Sequence, residues 1–480
     1  VAKAAGRSYD LLSALSLSVI LILLDNPVYL YYSGFLLSCG CICAVGLVLP
    51  QLGEIFPIPK GKFWKNFSQA CQMGIAVQIT TLPLVAWFYY EIPLYGILVN
   101  LLTAPTLAIT LASGILGAVV GMWQVALARI LLLPGCLLVD FYQFLCETVK
   151  KLPHAVLIVG QPEKWQMALY YGALAAGFFA VKRIKSGRMA GAAFFLAFWF
   201  TGTVLMCWRG HESLEITCLD VGQGDGAVIQ SPQGECYLVD GGSSSQSKVG
   251  QYRILPFLKS QGISQIDVAF ISHADADHVN GIEEILKLIQ TGQTSMKIRC
   301  LALPGLEEKE EGQEKIATLA KRAGVAVQYL NAGDRVQGEE IVWRAVSPLA
   351  KGQVQDINEN SLALFLECES FRGMFTGDMG EEQEMRIAGY LTECDFLKVA
   401  HHGSKHSTGK RFLRKVRPKI AVASSSATNT YGHPHPDTLK RLEENRCQAF
   451  LTKDSGAVNL KVKDDAVEVN AYLREAMEVQ

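Results

Sequence analysis

Charge and histidine are scarce in the first part of this 480-residue sequence. Residues 1–210 hold 14 Lys and Arg, 7 Asp and Glu, and a single histidine, His154. The other 30 basic residues, 38 acidic residues and eight histidines all follow. A region this poor in ionisable side chains offers little for acid–base or metal chemistry, so the chemistry is sought after residue 210. The 13 cysteines include no Cys-x-x-Cys pair, which excludes a zinc ribbon and a dithiol redox motif. Several sit in apolar runs (Cys39, Cys41, Cys43, Cys136, Cys146) and read as packing residues, not as a disulfide framework. The Gly-rich turn Val221-Gly222-Gln223-Gly224-Asp225-Gly226 precedes a strand instead of a helix, so a nucleotide-binding P-loop is excluded as well.

What the first part does have is apolar length. Seven stretches approach the length needed to cross ~30 Å of hydrocarbon: Leu11–Leu30, Tyr31–Leu49, Met73–Tyr90, Ile97–Val120, Val125–Cys146, Met167–Val181 and Ala190–Cys207. Lys3 and Arg7 before the first stretch imitate a signal peptide, but no small-residue cleavage site follows, so a membrane anchor is the better reading. Pro105, Gly114 and Gly117 predict either a broken fourth span or close helix packing through small residues. Three basic clusters (Lys3 and Arg7; Lys60, Lys62 and Lys65; Lys182, Arg183, Lys185 and Arg188) fall on one side by the positive-inside rule. Lys150 and Lys151 fall on the other. The balance puts the polar second half outside the cytoplasm. Asp140 is the ionisable residue of a span most suggestive of function.

In the second half an apolar strand-like run, Ile266–Ile271, meets Ser272-His273-Ala274-Asp275-Ala276-Asp277-His278-Val279-Asn280-Gly281, and a helical run follows. Two imidazoles and two carboxylates on a strand-to-helix loop exceed what a helix cap needs and have the chemistry of metal ligands. Other strands end in the same way. Asp240 precedes Gly241-Gly242, and Asp378 closes Thr376-Gly377-Asp378. His401-His402-Gly403-Ser404 follows the run Phe396–Ala400, and His433-Pro434-His435 follows Ala421–Ser425. Asp220, Asp225 and Asp240 read as supporting carboxylates that orient ligands or backbone.

Together His-x-Asp-x-Asp-His, Thr-Gly-Asp and His-His-Gly-Ser resemble a metallo-β-lactamase-fold hydrolase. Leu219–Asp225, Asp240–Gly242, Asn360-Ser361, and Asn26-Pro27 and Ile92–Leu102 in the first half are similar to ComEC-type competence proteins. The resemblance covers essentially the whole chain. It implies an α-helical polytopic membrane domain of about seven spans (1–210) followed by an α/β metallo-β-lactamase-like αββα sandwich (211–480). The chain, which begins at Val1, is expected to be N-terminally truncated against that family, lacking its OB-like domain and first spans. The implied function is a multi-pass plasma-membrane channel for DNA uptake, with an extracytoplasmic metal-dependent nuclease degrading the strand that is not transported.

The resemblance also assigns roles. His273, Asp275, Asp277, His278, Asp378 and His401 are expected to bind two divalent cations, with Asp378 bridging them. Asp277, Asp378 and His402 are the expected catalytic residues. Ser404, Lys405, His433 and His435 are expected to bind phosphate, with Asn360 in support. Asp275 stands where the family pattern has a second His, and Asn358–Ser361 where it has another. This oxygen-rich set favours manganese or iron, with zinc as the other choice. The implied partners are double-stranded DNA outside, a single strand through the membrane, lipid, DNA-receptor and uptake-motor competence proteins, and a second copy of the chain. A net charge of −8 after residue 210 opposes broad steering of DNA, whereas Lys405, Lys410, Arg411, Arg414, Lys415, Arg417 and Lys419 form a local basic strip. Two other readings fit the same motifs. One is a membrane-anchored hydrolase of a small ester or lactone. The other is a channel whose outer domain binds DNA without cleaving it.

Overall fold

The computed structural model describes residues 10–56, 59, 61–183, 188–210, 212–351, 356–463, 466–473 and 477–479. Lys3, Arg7, Lys60 and Lys185 of the basic clusters lie outside the described residues. The chain divides into two compact units, Val1–Trp208 with Lys259–Gly262, and Arg209–Leu258 with Ile263–Gln480.

The first unit is helical at each of the seven apolar stretches. Among the described residues five helices are long and apolar enough to cross a membrane: Ser33–Ile55, Trp64–Tyr89, Gly96–Gly121, Val125–Lys150 and Ala190–Cys207. Leu11–Asp25 is apolar but has 15 residues, and Lys164–Arg183 has 20. Gly96–Gly121 runs unbroken through Pro105, so the fourth stretch is not a broken span. Its small residues serve packing instead. A Cβ at Gly117 would come within 2.5 Å of Leu132, and one at Gly135 within 2.9 Å of Ser113 Oγ. Ser113 Oγ donates to the Leu131 carbonyl at 2.5 Å and accepts from Gly135 N–H at 3.1 Å, beside Pro134, which has no N–H to give. Asp140 is exposed on the helix Val125–Lys150.

The second unit is an αββα sandwich. Among the described residues one sheet has nine strands and the other seven. The first runs from Met477–Val479 through Ala466–Ala471, Val458–Lys463, Leu214–Cys218, Ala227–Gln230, Cys236–Val239, Gln265–Phe270 and Lys297–Pro304 to Ala326–Leu330. The second runs from Gln448–Leu451 through Ile420–Ala423, Phe396–Lys398, Phe371–Phe375, Ala363–Cys368 and Ile341–Ser347 to Arg335–Gln337. Strand alternation sorts the side chains into layers. Leu364 and Leu366 join the core between the sheets with Ile216, Val239, Phe270 and Trp343. Ala363 and Phe365 point the other way, into a core with Phe412, Leu413 and Leu442 of the covering helices. On the first sheet, Ile282, Ile285 and Leu286 of the helix Ala276–Gln290 and Ile316 and Ala320 of Glu311–Arg322 are fully buried. The inter-sheet core holds an aromatic chain, with Trp343 centroids 4.9 Å from Phe270 and 5.5 Å from Phe375.

Parallel pairing positions the site. Cys236–Val239 is parallel to Gln265–Phe270, with Val239 opposite Phe270. In the second sheet Phe371–Phe375, Phe396–Lys398, Ile420–Ala423 and Gln448–Leu451 are all parallel. Parallel neighbours finish at the same edge, so the loops leaving them collect there.

Candidate metal centre

His273, Asp275, Asp277 and His278 leave the strand Gln265–Phe270 and enter the helix Ala276–Gln290. Glycine lets other loops approach this turn. A Cβ on Gly242 would lie 2.4 Å from the backbone of Asp277 and His278. Gly377 (φ +57) faces Ser272 and Ser361, where a Cβ would meet their Cβ atoms at 2.8 and 2.9 Å. That close approach seats Asp378 against the first loop. His401 and His402 both have positive φ, 50 and 53, a left-handed conformation uncommon for residues other than glycine.

Three imidazoles converge with their Nε2 atoms inward. His273, His278 and His402 are each 2 % exposed or less. Each has an oxygen behind Nδ1. Ser272 Oγ is 3.0 Å from His273 Nδ1, Asp240 Oδ2 is 3.0 Å from His278 Nδ1, and Asp225 Oδ1 is 3.7 Å from His402 Nδ1. Asp240 is fixed in turn by Ser272 N–H, which donates to its Oδ1 at 2.8 Å. A proton held on Nδ1 leaves the Nε2 lone pair free for a cation. His278 Nε2 lies 3.3 Å from Asp378 Oδ1, and His402 Nε2 lies 3.4 Å from Asp277 and 3.7 Å from Asp378.

Ligand atoms of His273, His278 and Asp378 fall within 4.8 Å of one another, as do those of Asp277, His278 and His402. A third trio, Asp225, Asp240 and His278, is equally close, but Asp240 already partners His278 Nδ1 and Asp225 is ion-paired with Lys398. The Nε2 atoms of His273, His278 and His402, Nδ1 of His402 and Oδ1 of Asp378 are buried without a hydrogen-bond partner, Asp225 Oδ1 standing 3.7 Å from that Nδ1. Buried polar atoms left unpaired are costly, so these residues fit a divalent cation. Charge points the same way. Burial presses on His402, but Asp378 and Asp225 outweigh it and push its pKa up to about 10. His278 is likewise buried, yet Asp378 and Asp240 hold it well above the usual imidazole value. Burial also works against the Asp378 carboxylate, and His278 and His402 more than offset it, holding Asp378 well below its ordinary value. His273 goes the other way, lowered by burial and by His278, so the carboxylates favour protons on His278 and His402 alone where no cation is bound.

The remaining sequence candidates spread outward. Asp275 is half exposed, 3.7 Å from His273 Nε2, and belongs to neither ligand trio. His401 is a third exposed and 3.8 Å from Asp378, so His402, not His401, enters the close group. His433 packs beside His401 at 5.7 Å between centroids and beside Tyr431 at 5.8 Å. Burial, followed by His402 and His401, brings its pKa down to about 4. His435 caps the helix Pro436–Glu444, accepting Asp437 N–H at 3.2 Å. Ser404 is buried and Lys405 exposed. Asn360 is buried and lines a small pocket with His273, Ala274 and Glu310. Asp220 accepts Gly222 N–H and lies 3.5 Å from Arg253, a backbone role away from the imidazoles. Of the basic strip, Lys410, Arg417 and Lys419 are paired with Glu444, Glu393 and Asp395, while Lys405, Arg411, Arg414 and Lys415 are exposed. Sequence reasoning missed Ser272 and Lys398. A serine directly before the histidine and a lysine inside an otherwise apolar strand were the available signals.

The αββα fold and this convergence of imidazoles and carboxylates at one sheet edge define a metallo-beta-lactamase-type domain. Residues 219–426 match the metallo-beta-lactamase superfamily model, and residues 1–184 match that of the competence protein. The chain thus carries a region matching the competence-protein model followed by one matching the metallo-beta-lactamase superfamily, and the first region holds apolar helices long enough to cross a membrane. It is 26 % identical to ComE operon protein 3 of Bacillus subtilis over 96 % of this chain and 59 % of that protein. It is 28 % identical to recombination protein 2 of Haemophilus influenzae over 56 % of this chain and 32 % of that protein. The chain thus spans well under two thirds of these relatives' lengths. A solved metal-dependent hydrolase of the beta-lactamase superfamily aligns with 52 % of this chain and 100 % of its own, at 14 % identity and a TM-score of 0.36.

Proposed function

We propose that the chain takes part in DNA uptake across the plasma membrane and that its second domain hydrolyses phosphodiester bonds with two divalent cations. In this reading residues 1–210 form the multi-pass membrane part and residues 211–480 the extracytoplasmic hydrolase. The observation that carries it is the inward set of unpaired Nε2 atoms on His273, His278 and His402, beside Asp277 and Asp378. The donors fall into two overlapping groups, His273, His278 and Asp378, and Asp277, His278 and His402; with Nδ1 on Asp240, the single free Nε2 of His278 would serve one cation, and the other would be held by the remaining donors of its group. Bound divalent cations supply Lewis acidity and an ionised water near neutral pH. The chain's own residues orient and shield. Ser272 and Asp240 fix the imidazoles of His273 and His278, and Asp225 stands 3.7 Å behind that of His402. His433, neutral because its pKa is brought down to about 4, offers a ring N–H to a phosphate oxygen. The exposed Lys405, Arg411, Arg414 and Lys415 attract the phosphate backbone. With Asp275 outside the close groups, each group holds two imidazoles and one carboxylate, a set that suits zinc or iron as well as manganese.

The test uses the full chain in detergent. It is stripped with chelator, and cleavage of end-labelled single- and double-stranded DNA is followed as manganese, iron or zinc is restored. Metal-restored cleavage is the expected result. No cleavage with any of the three, by protein that does take up metal, would sink the nuclease assignment.

A further inference from the structure

The three oxygens behind the imidazoles are not held alike. Ser272 Oγ is on the histidine loop itself, and Asp240 is fixed by Ser272 N–H at 2.8 Å. Asp225 comes from the Gly-rich turn of the first sheet, and its carboxylate is ion-paired with Lys398 of the second sheet. Lys398 ends the strand Phe396–Lys398 and points inward; it is 5 % exposed, Asp225 4 % and His402 2 %. The backbone of Asp225 is tied to the other loops, its N–H donating to Asp277 O at 3.0 Å and its carbonyl accepting Gly242 N–H at 2.9 Å. What remains free to turn is the Asp225 side chain, and Lys398 fixes it.

We propose that Lys398 is a positioning residue of the metal centre: its ion pair holds the Asp225 carboxylate behind His402, which keeps His402 Nε2 aimed at Asp277 and Asp378 and sets the affinity of the cation position that His402 and Asp277 would serve. The inference rests on the two-cation reading above. A lysine buried by itself is disfavoured, and a buried pair is often no more stabilising than an apolar pair of similar size. Stability alone therefore gives little reason for an ion pair here, whereas orienting a ligand does. The position that His273 would serve does not depend on Lys398, because the imidazoles of His273 and His278 are backed by Ser272 and Asp240.

Removing Lys398 alone strands a buried carboxylate, so the test is the double variant Asp225→Leu with Lys398→Met. It deletes one charge of each sign and leaves the net charge of the cluster unchanged. With no net charge lost, the Coulomb contribution to any change in cation affinity is limited to the dipole of the removed pair, and the rest reports orientation. Mn2+ binding to the full chain in detergent is measured by equilibrium dialysis. The expected result is one Mn2+ held as in the wild type and the second weakened roughly 10- to 100-fold. Two Mn2+ ions bound with wild-type affinities overturn the inference while leaving the two-cation reading intact. Fewer than two ions on the wild type overturn both. A second measurement needs no variant. Long-range 1H–15N spectra of histidine-labelled wild type with Zn2+ should place the His402 proton on Nδ1, and a proton on Nε2 overturns the proposal.

Discussion

Replacing Asp240 by Asn changes one oxygen to an amide nitrogen, and the surroundings decide which way the amide points. Asp240 Oδ1 accepts Ser272 N–H at 2.8 Å and Oδ2 faces His278 Nδ1 at 3.0 Å. If Asn keeps its oxygen on Ser272, its NH2 donates toward His278 Nδ1. The imidazole must then accept there and carry its proton on Nε2, aimed at the cation position. Turning the amide over restores the tautomer but sets NH2 against N–H at Ser272, leaving that buried donor unpaired at about 1–3 kcal/mol. Either way cation affinity falls, by roughly 10- to 100-fold, or about 1.4–2.7 kcal/mol. Asp240→Ala removes the acceptor without installing a wrong donor, so His278 can still adopt the productive tautomer. Its affinity should fall less, although Ala at φ +55 strains the backbone where Asn does not. The expected order of Mn2+ affinity, by equilibrium dialysis on the full chain, is wild type, then Asp240→Ala, then Asp240→Asn. Asn binding as tightly as Asp, or more tightly than Ala, refutes the tautomer argument.

Three further outcomes are expected. Asp378→Ala, which removes the carboxylate nearest both His278 and His402, should abolish metal-dependent DNA cleavage while circular dichroism stays unchanged; Asp275→Ala should do the same if that half-exposed carboxylate completes the centre, and full activity in both variants would sink the metal-site assignment. In chelator, stability should be highest at mildly acidic pH. The raised pKa of His402 contributes fully below its unfolded value of about 6.5 and is lost as pH climbs through about 10. The depressed Asp378 contributes above its ordinary range and loses that contribution on acidification; a melting temperature that rises from pH 7 to 10 without metal would contradict this. Trp343→Ala, at a fully buried ring 4.9 Å from Phe270, should cost about 3–5 kcal/mol, read as a large drop in the melting temperature of the sandwich.

The candidate site was legible wherever chemistry-bearing residues stood together at a strand end. His273–His278, Asp378 and the His401–His402 pair drew attention because ligand types were dense there and the preceding runs were apolar. The resemblance then supplied the αββα fold, which the structure and the family match bear out. Choosing between His401 and His402 was beyond reach, because both adopt left-handed backbone and only their three-dimensional placement separates the buried ring from the one at the rim. Lys398 was hidden for a related reason. In an alternating strand a lone lysine usually reaches solvent, and nothing local says that Asp225, 173 positions away, waits for it inside. His435 was over-read, since a polar residue before Pro436 caps a helix as readily as it binds phosphate. In the first unit Pro105 failed to break its helix, while glycine at 117 and 135 served close approach.

The strand Leu214–Cys218 lies between Ala227–Gln230 and Val458–Lys463. One neighbour is made moments after it, the other only when some 240 further residues have been added. During synthesis, therefore, the strand that leads into the Asp220–Asp225 turn has an open edge for nearly the whole production of the domain. Pairing over such a separation is slow to form, and an open edge is a place where foreign strands can add. The order of events follows from the sheet. The loops bearing His273–His278, Asp378 and His402 emerge first, but the sheet beneath them is closed last. The metallo-beta-lactamase domain is thus complete only after Val458–Lys463 has been made, and a chain cut before Val458 keeps Leu214–Cys218 as an open edge.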